Sequence, residues 1–177
     1  MQQNQNSIWK VDNGHSSVQF KVKHMAIANV SGTFDVFEGR LKTEHDDFRD
    51  AEITFKIDAE SLNTNNKQRD EHLRSDLFFD TQQFPELIFN GRLHKIADDY
   101  ELDGELTIRN VTKKLKLQAE FTGIGNGRNG DSRAGFELNG KINRKDYGLT
   151  WDMVTEAGGI IVGEEIKLNM DIELIKI

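Results

Sequence analysis

The sequence contains no cysteine, one proline (Pro85), two tryptophans and two tyrosines. Without cysteine there is no disulfide framework, no thiolate nucleophile and no cysteine-held metal. Positive charge is in deficit: 23 Lys and Arg stand against 30 Asp and Glu, for a net charge of −7. No basic field exists to attract phosphate, which argues against nucleic acid and against an anionic membrane surface as partners. No apolar run approaches the roughly 20 residues of a membrane-spanning helix. The opening stretch, MQQNQNSIWK, has neither a basic n-region nor an apolar h-region. As written, the chain reads as cytoplasmic, or as periplasmic if a leader was removed.

What is present suits one globular domain: 177 residues, 36% hydrophobic and 30% charged. Residues 1–6 are polar and read as a disordered tail, and residues 7–177 as a single domain. Most of the domain alternates with period two, the signature of half-buried strands. Val18, Phe20 and Val22 alternate with Gln19, Lys21 and Lys23; Ile53, Phe55 and Ile57 alternate with Glu52, Thr54 and Lys56. Residues 30–37 read as a strand that ends in a turn or bulge at Glu38-Gly39. Residues 87–96, 100–108, 111–122 and 133–142 follow the strand pattern, with a tight hairpin at Arg109-Asn110 and a glycine- and asparagine-rich loop over 123–130. Residues 143–159 read as irregular and contain Tyr147 and Trp151. The last segment is the most regular, with Ile166, Leu168, Met170, Ile172 and Leu174 on one side.

One stretch breaks the pattern. Residues 65–74 are polar, rich in charge and free of β-branched side chains, which favours a helix or ordered loop capped by Thr64, Asn65 or Asn66. Leu77, Phe78, Phe79 and Phe84 follow, and then Pro85. A charged turn joined to an apolar cluster reads as a plug docked on an opening of the sheet, its aromatic end inward.

About eight one-sided segments with short turns point to an all-β fold: an antiparallel barrel with a short helical insertion, closed because closure removes exposed edges. Its inward face mixes Phe, Leu and Ile with Gly32, Gly91, Gly104, Ala119, Ala134 and Gly140. Small residues there can leave a void for an apolar guest, and bulky neighbours can equally fill it; alternation fits both.

Five motifs in order carry a resemblance. Trp9-Lys10-Val11-Asp12 with His15-Ser16 and Phe20-Lys21-Val22-Lys23-His24-Met25 is the first. Val30-Ser31-Gly32-Thr33-Phe34 with Phe37 and Gly39 is the second. Ser61, Thr64, Asn65, Arg69-Asp70, His72-Leu73, Ser75, Phe78-Phe79-Asp80 and Phe84-Pro85 form the third. Gly104-Glu105-Leu106-Thr107-Ile108 with Val111-Thr112, and Ile142-Asn143-Arg144 with Tyr147-Gly148-Leu149 and Trp151, complete the set. Over nearly its whole length the chain resembles the YceI-like, polyisoprenoid-binding family. The resemblance implies an extended lipocalin-like barrel around an apolar tunnel holding a polyprenyl quinone or prenyl phosphate. It also implies homodimers among some members, and a bound lipid in place of a cofactor.

Combined with the alternation, the resemblance makes Phe20, Val22, Phe34, Ile53, Phe55, Ile57, Phe89, Leu106, Leu117, Ala119, Phe136, Leu168 and Met170 the expected wall of the site. Arg69 and His72 are the expected polar contacts at its mouth. Chemistry beyond binding has weaker support. His15 and His24 lack a third ligand at metal-binding spacing. An Asp70–His72 pair activating Ser61 or Ser75 lacks a nucleophile elbow. An ion pair of Arg69 with Asp70 or Asp80, fixing the plug, is the simpler expectation. The sequence therefore reads as a binding protein without catalytic or metal residues. A barrel filled by its own side chains, serving stress-related interactions, and a hydrolase using Asp70 and His72 are the alternatives.

Overall fold

The computed structural model describes residues 6–152 and 162–177. The expected tail lies outside these except for Asn6, as do residues 153–159 of the segment read as irregular. Eleven strands form one antiparallel sheet: β1 (Ser7–Val11), β2 (Ser17–His24), β3 (Ala28–Phe34), β4 (Phe37–Thr43), β5 (Ala51–Asp58), β6 (Leu62–Asn63), β7 (Glu86–Ile96), β8 (Asp99–Ile108), β9 (Val111–Asn126), β10 (Ser132–Asn143) and β11 (Val162–Lys176). Among the described residues the one α-helix, α1, is Lys67–Arg74.

The sheet closes on itself. From β1 the hydrogen-bonded order runs through β4, β5, β7, β8, β9, β10 and β11, and β11 returns to β1 at Trp9–Lys176 and Val11–Leu174. This is the expected eight-stranded antiparallel barrel. The strand count exceeds the sequence reading because β4 and the short β6 follow no alternation read there. A 3-10 turn at Asn13–His15 separates β1 from β2, and Asp35-Val36 separates β3 from β4. The break falls before Phe37, not at Glu38-Gly39. Gly39 sits inside β4 opposite Phe55, and any side chain on it would strike the Phe55 ring. Its glycine answers to packing, not to a turn.

A second correction concerns residues 123–130. β9 continues to Asn126, with the register shift opposite Gly135/Phe136 beside Gly123 at φ 141°. The backbone keeps its ladder bonds through the glycines, so only residues 127–131 turn. The Arg109-Asn110 hairpin is tight as read, both residues being left-handed at φ 49° and 63°, the twist that suits a two-residue β-hairpin.

One end of the barrel is floored by aromatic rings. The loop between β4 and β5 turns Phe48 inward, where it is 2% exposed and meets Trp9, Phe121 and Phe136 at 5.2–5.7 Å. Tyr100 packs against Phe121 and Phe136 and donates its hydroxyl to the Asp47 carbonyl at 2.5 Å. Offset and edge-to-face pairs of this kind add stabilisation beyond the area they bury. Phe48 adopts φ 58°, a left-handed backbone a bulky residue rarely takes. The burial of its ring offsets that cost.

Outside the floor, Arg133 of β10 binds three carboxylates: Nη1 to Asp12 at 2.8 Å and Glu173 at 2.5 Å, and Nε to Asp131 at 2.7 Å. It ties β10 and β11 to the turn after β1. Hydrogen bonds from His15 and Arg133 hold the Asp12 carboxyl below the usual carboxylate range. Asp12, His15 and Glu173 lie close enough to share a cation. The guanidinium already supplies that charge.

Replacing Phe48 with Ala removes the centre of the floor and should lower stability by about 3–5 kcal/mol, as for a buried aromatic that leaves a cavity. Urea unfolding measures this; a loss below about 1 kcal/mol would mean the loop does not seal the barrel.

Candidate functional site

Above the floor the barrel is not filled. A cavity of about 790 Å³ runs from Val11, Leu41 and Leu174 up to His24, Arg69 and Trp151. Its lining is overwhelmingly apolar and comes from nearly every strand, because each strand turns the same face inward.

The inward glycines do not make this void, contrary to one reading of the sequence. A side chain on Gly32 would collide with the Phe20 ring, on Gly91 or Gly104 with Phe89, and on Gly140 with Leu117. Each glycine lets a neighbouring large side chain lie flat on the wall. The rings cover the backbone and leave the centre open. Gly91 and Gly104 face each other across β7 and β8, so Phe89 covers both.

Of the residues expected on the wall, all but Ala119 line the cavity, as do Arg69 and His72. Ala119 is buried between Tyr100 and Leu138 in the sheet, at the level where the floor aromatics occupy the centre. Alternation gave the face correctly and could not give the height. It also could not reveal Leu73, Phe79 and Trp151, which reach the cavity from the plug and a loop.

The plug is built from residues 59–85. Asn66 caps α1 by accepting the Arg69 N–H at 2.9 Å. The backbone N–H and hydroxyl of Thr64 donate to the buried Asp70 carboxylate. Arg69 donates from Nε to the Thr64 hydroxyl and from Nη2 to the Thr64 carbonyl, both at 2.8 Å. The expected ion pair of Arg69 with Asp70 or Asp80 is absent among the described residues. Thr64 stands between the two charges and satisfies each. Arg74 holds the carbonyls of Glu60 at 2.9 Å and Leu62 at 2.5 Å. The plug is anchored to the barrel by β6 on β3, with Phe79 edge-on to Phe34 at 6.0 Å. Of its apolar cluster, Leu77, Phe78 and Phe79 line the cavity, Leu77 at its edge where it is 54% exposed, while Phe84 is half-buried outside the lining.

A second device faces the plug. Arg144, at the end of β10, is fully buried. It donates to the carbonyls of Leu149 (2.6 Å), Trp151 (3.0 Å), Gly163 (2.8 Å) and Val162 (3.2 Å), and to Asp152 at 2.5 Å. One guanidinium thus holds both described ends of the connection from β10 to β11. Lys145 joins Asp152 to Glu164, at 2.7 and 3.2 Å. Hydrogen bonds from Lys145 and Arg144 hold the Asp152 carboxyl below the usual carboxylate range. The contribution of this clasp is therefore full above the ordinary carboxylate pKa and fades as pH falls. Beneath it, burial pushes the Tyr147 phenol up to about 12.

The clasp sets Trp151 against the plug. Its ring meets His72 edge-on, 4.4 Å between centroids. His72 Nε2 is buried and has no hydrogen-bond partner among the described residues. Asp70 is taken by Thr64, Ser75 donates to the His72 carbonyl, and Ser61 donates to the Asp58 carbonyl. No hydrogen bond joins Asp70, His72 and a serine among the described residues. His15 and His24 do not pair either: the length of β2 separates them by roughly 25 Å. His15 binds Asp12 at 2.8 Å, and His24 lines the cavity.

The geometry is thus an apolar, aromatic-walled tunnel, sealed at one end and bordered at the other by two hydrogen-bonded devices. Residues 9–174 match the model of the YceI-like domain. The chain belongs to the YceI-like family. A UPF0312 protein of Staphylococcus aureus strain MSSA476 is 33% identical over 163 residues, which cover 92% of this chain and 94% of the relative. The YCEI protein of Campylobacter jejuni is 32% identical with a TM-score of 0.72, over 88% of this chain and 90% of that one. A polyisoprenoid binding domain from Saccharophagus degradans shares the lipocalin-like fold at 16% identity and TM-score 0.68, over 94% and 97%. The YceI-like motifs prove to be largely the fixing devices: Asp12 in the Arg133 cluster, Thr64, Arg69 and Asp70 in the plug, and Arg144 in the clasp.

Arg144→Gln strands several buried carbonyls and should lower stability on the order of 3 kcal/mol in urea unfolding. Arg144→Lys should recover only part of this, because an ammonium cannot reproduce the planar fork. Full recovery by Lys would refute the clasp geometry.

Proposed function

We propose that the barrel binds one long-chain isoprenoid lipid, a polyprenyl quinone or a prenyl phosphate, and sequesters or carries it. The observation that carries this reading is the open, apolar-walled tunnel of about 790 Å³, within the size range of small-molecule sites. A chain of repeated apolar units suits a wall built of side chains with so few polar atoms. Each buried CH₂ contributes about 0.8 kcal/mol, so shape and area alone can hold a long chain. The YceI-like membership and the name of the Saccharophagus degradans neighbour support the same ligand class.

The polar end of the lipid sits at the mouth in this reading. His72 Nε2 is buried there without a partner among the described residues, and it offers the hydrogen bond. Arg69 lines the same region but spends two donors on Thr64, so it supports the plug first and meets the lipid second. The His72–Trp151 contact joins plug to clasp through ring edges and no hydrogen bond, which makes it the place to part for entry and release. A filled barrel is disfavoured by the open centre. A hydrolase is disfavoured because Asp70 is committed to Thr64, and binding without catalysis is the reading we adopt.

Titration with prenyl quinones of increasing length tests this. Each further carbon enclosed should lower Kd close to fourfold until the tunnel is full, and then the affinity should level off. Quinone quenching of tryptophan emission should fall sharply in Trp151→Phe, because Trp9 lies at the floor. Phe55→Asp should abolish binding by placing a charge on the wall. Affinity independent of chain length would contradict the reading.

A further inference from the structure

The turn between β2 and β3 carries Met25, Ala26 and Ile27 out from the mouth end of the barrel. Ile27 is 82% exposed and Met25 46% exposed. Met25 and Ala26 are left-handed, at φ 52° and 59°, and the Ile27 N–H closes the turn on the His24 carbonyl at 3.2 Å. Neither residue is a glycine, so the backbone bears strain while an isoleucine is held in solvent. His24, immediately before the turn, lines the cavity. On the plug, Leu77 is 54% exposed and also lines the cavity. Apolar side chains thus border the mouth from two separate elements. Ile96 and Ile124 are comparably exposed, at 54% and 61%, but they lie towards the floored end.

We propose that this rim inserts into the surface of a lipid bilayer, so that lipid passes between bilayer and tunnel without crossing water. The inference rests on the lipid-binding reading and adds the partner surface. Three apolar side chains are far too little for a stable protein–protein interface, which needs about 800 Å² from each partner. They suffice for shallow, reversible insertion. Lys21 and Lys23, exposed on β2 just before the turn, form no salt bridge among the described residues and suit lipid phosphates. With a net charge of −7 the long-range field does not drive contact, so insertion must be apolar and largely insensitive to salt.

The test is co-sedimentation of the full chain with phosphatidylcholine vesicles free of prenyl lipid, at low and high salt. The wild type should partition onto them in both. Ile27→Asp should reduce partitioning at least tenfold, while Ile96→Asp should leave it unchanged. Binding of a prenyl quinone presented in detergent should be the same for the wild type and Ile27→Asp. If the wild type binds quinone in detergent yet ignores vesicles, the rim is not a membrane surface. If it sediments with vesicles through Ile27 but binds no quinone, the rim stands and the lipid-binding reading fails. A rim that mediates self-association, lost in Ile27→Asp with no vesicle binding, would overturn the inference in favour of a second copy.

Discussion

Backbone hydrogen bonding around a closed ring is what allows this protein to leave its centre free of its own side chains. In an open sheet, the apolar face must be covered by another layer. Here β11 pairs with β10 on one side and with β1 and β2 on the other, so every barrel strand has two neighbours. The ladder holds the shape, and side chains need only cover the wall. Phe20, Phe55 and Phe89 do this by lying flat over glycines. An apolar wall of this extent gains free energy by covering itself with apolar matter.

The ends of the ring obey different physics. The floor is apolar and aromatic, with Phe48 driven in among Trp9, Phe121 and Phe136. The mouth is fixed by guanidinium groups that grip carbonyls: Arg69 and Arg74 within the plug, Arg144 at the clasp. Hydrogen bonds of this kind fix geometry strongly within each device. Between the two devices the His72 and Trp151 rings meet edge-on, and no hydrogen bond or ion pair joins plug to clasp among the described residues. The Nε2 of His72, unpartnered among the described residues, lies at that junction, where a polar group of the lipid would be welcome.

Much of this was legible in the sequence. Period-two alternation assigned the inward face in β2, β5, β8, β10 and β11, because a strand buried on one side leaves no other pattern. The loss of alternation over 65–74 marked the place of α1 as helix or ordered loop, and Asn66, one of three candidate caps, is the one that caps it. Other features were not readable because they depend on what lies opposite. Gly39 looked like a turn until Phe55 was seen against it. Gly32, Gly91, Gly104 and Gly140 looked like holes and proved to be seats for larger neighbours. Arg69 stood beside Asp70 in sequence, yet helical geometry and Thr64 gave both a different partner. Ala119 faced inward at a height that only the floor aromatics define, and Arg144 showed no sign of gripping five groups.

The central claim is that the tunnel is occupied by a long apolar lipid. Mass spectrometry of an organic-solvent extract of the purified protein tests it most directly. The account predicts a prenyl quinone or prenyl phosphate at close to one molecule per chain. An extract containing no such lipid, from protein that also fails to take one up when it is supplied, would contradict it.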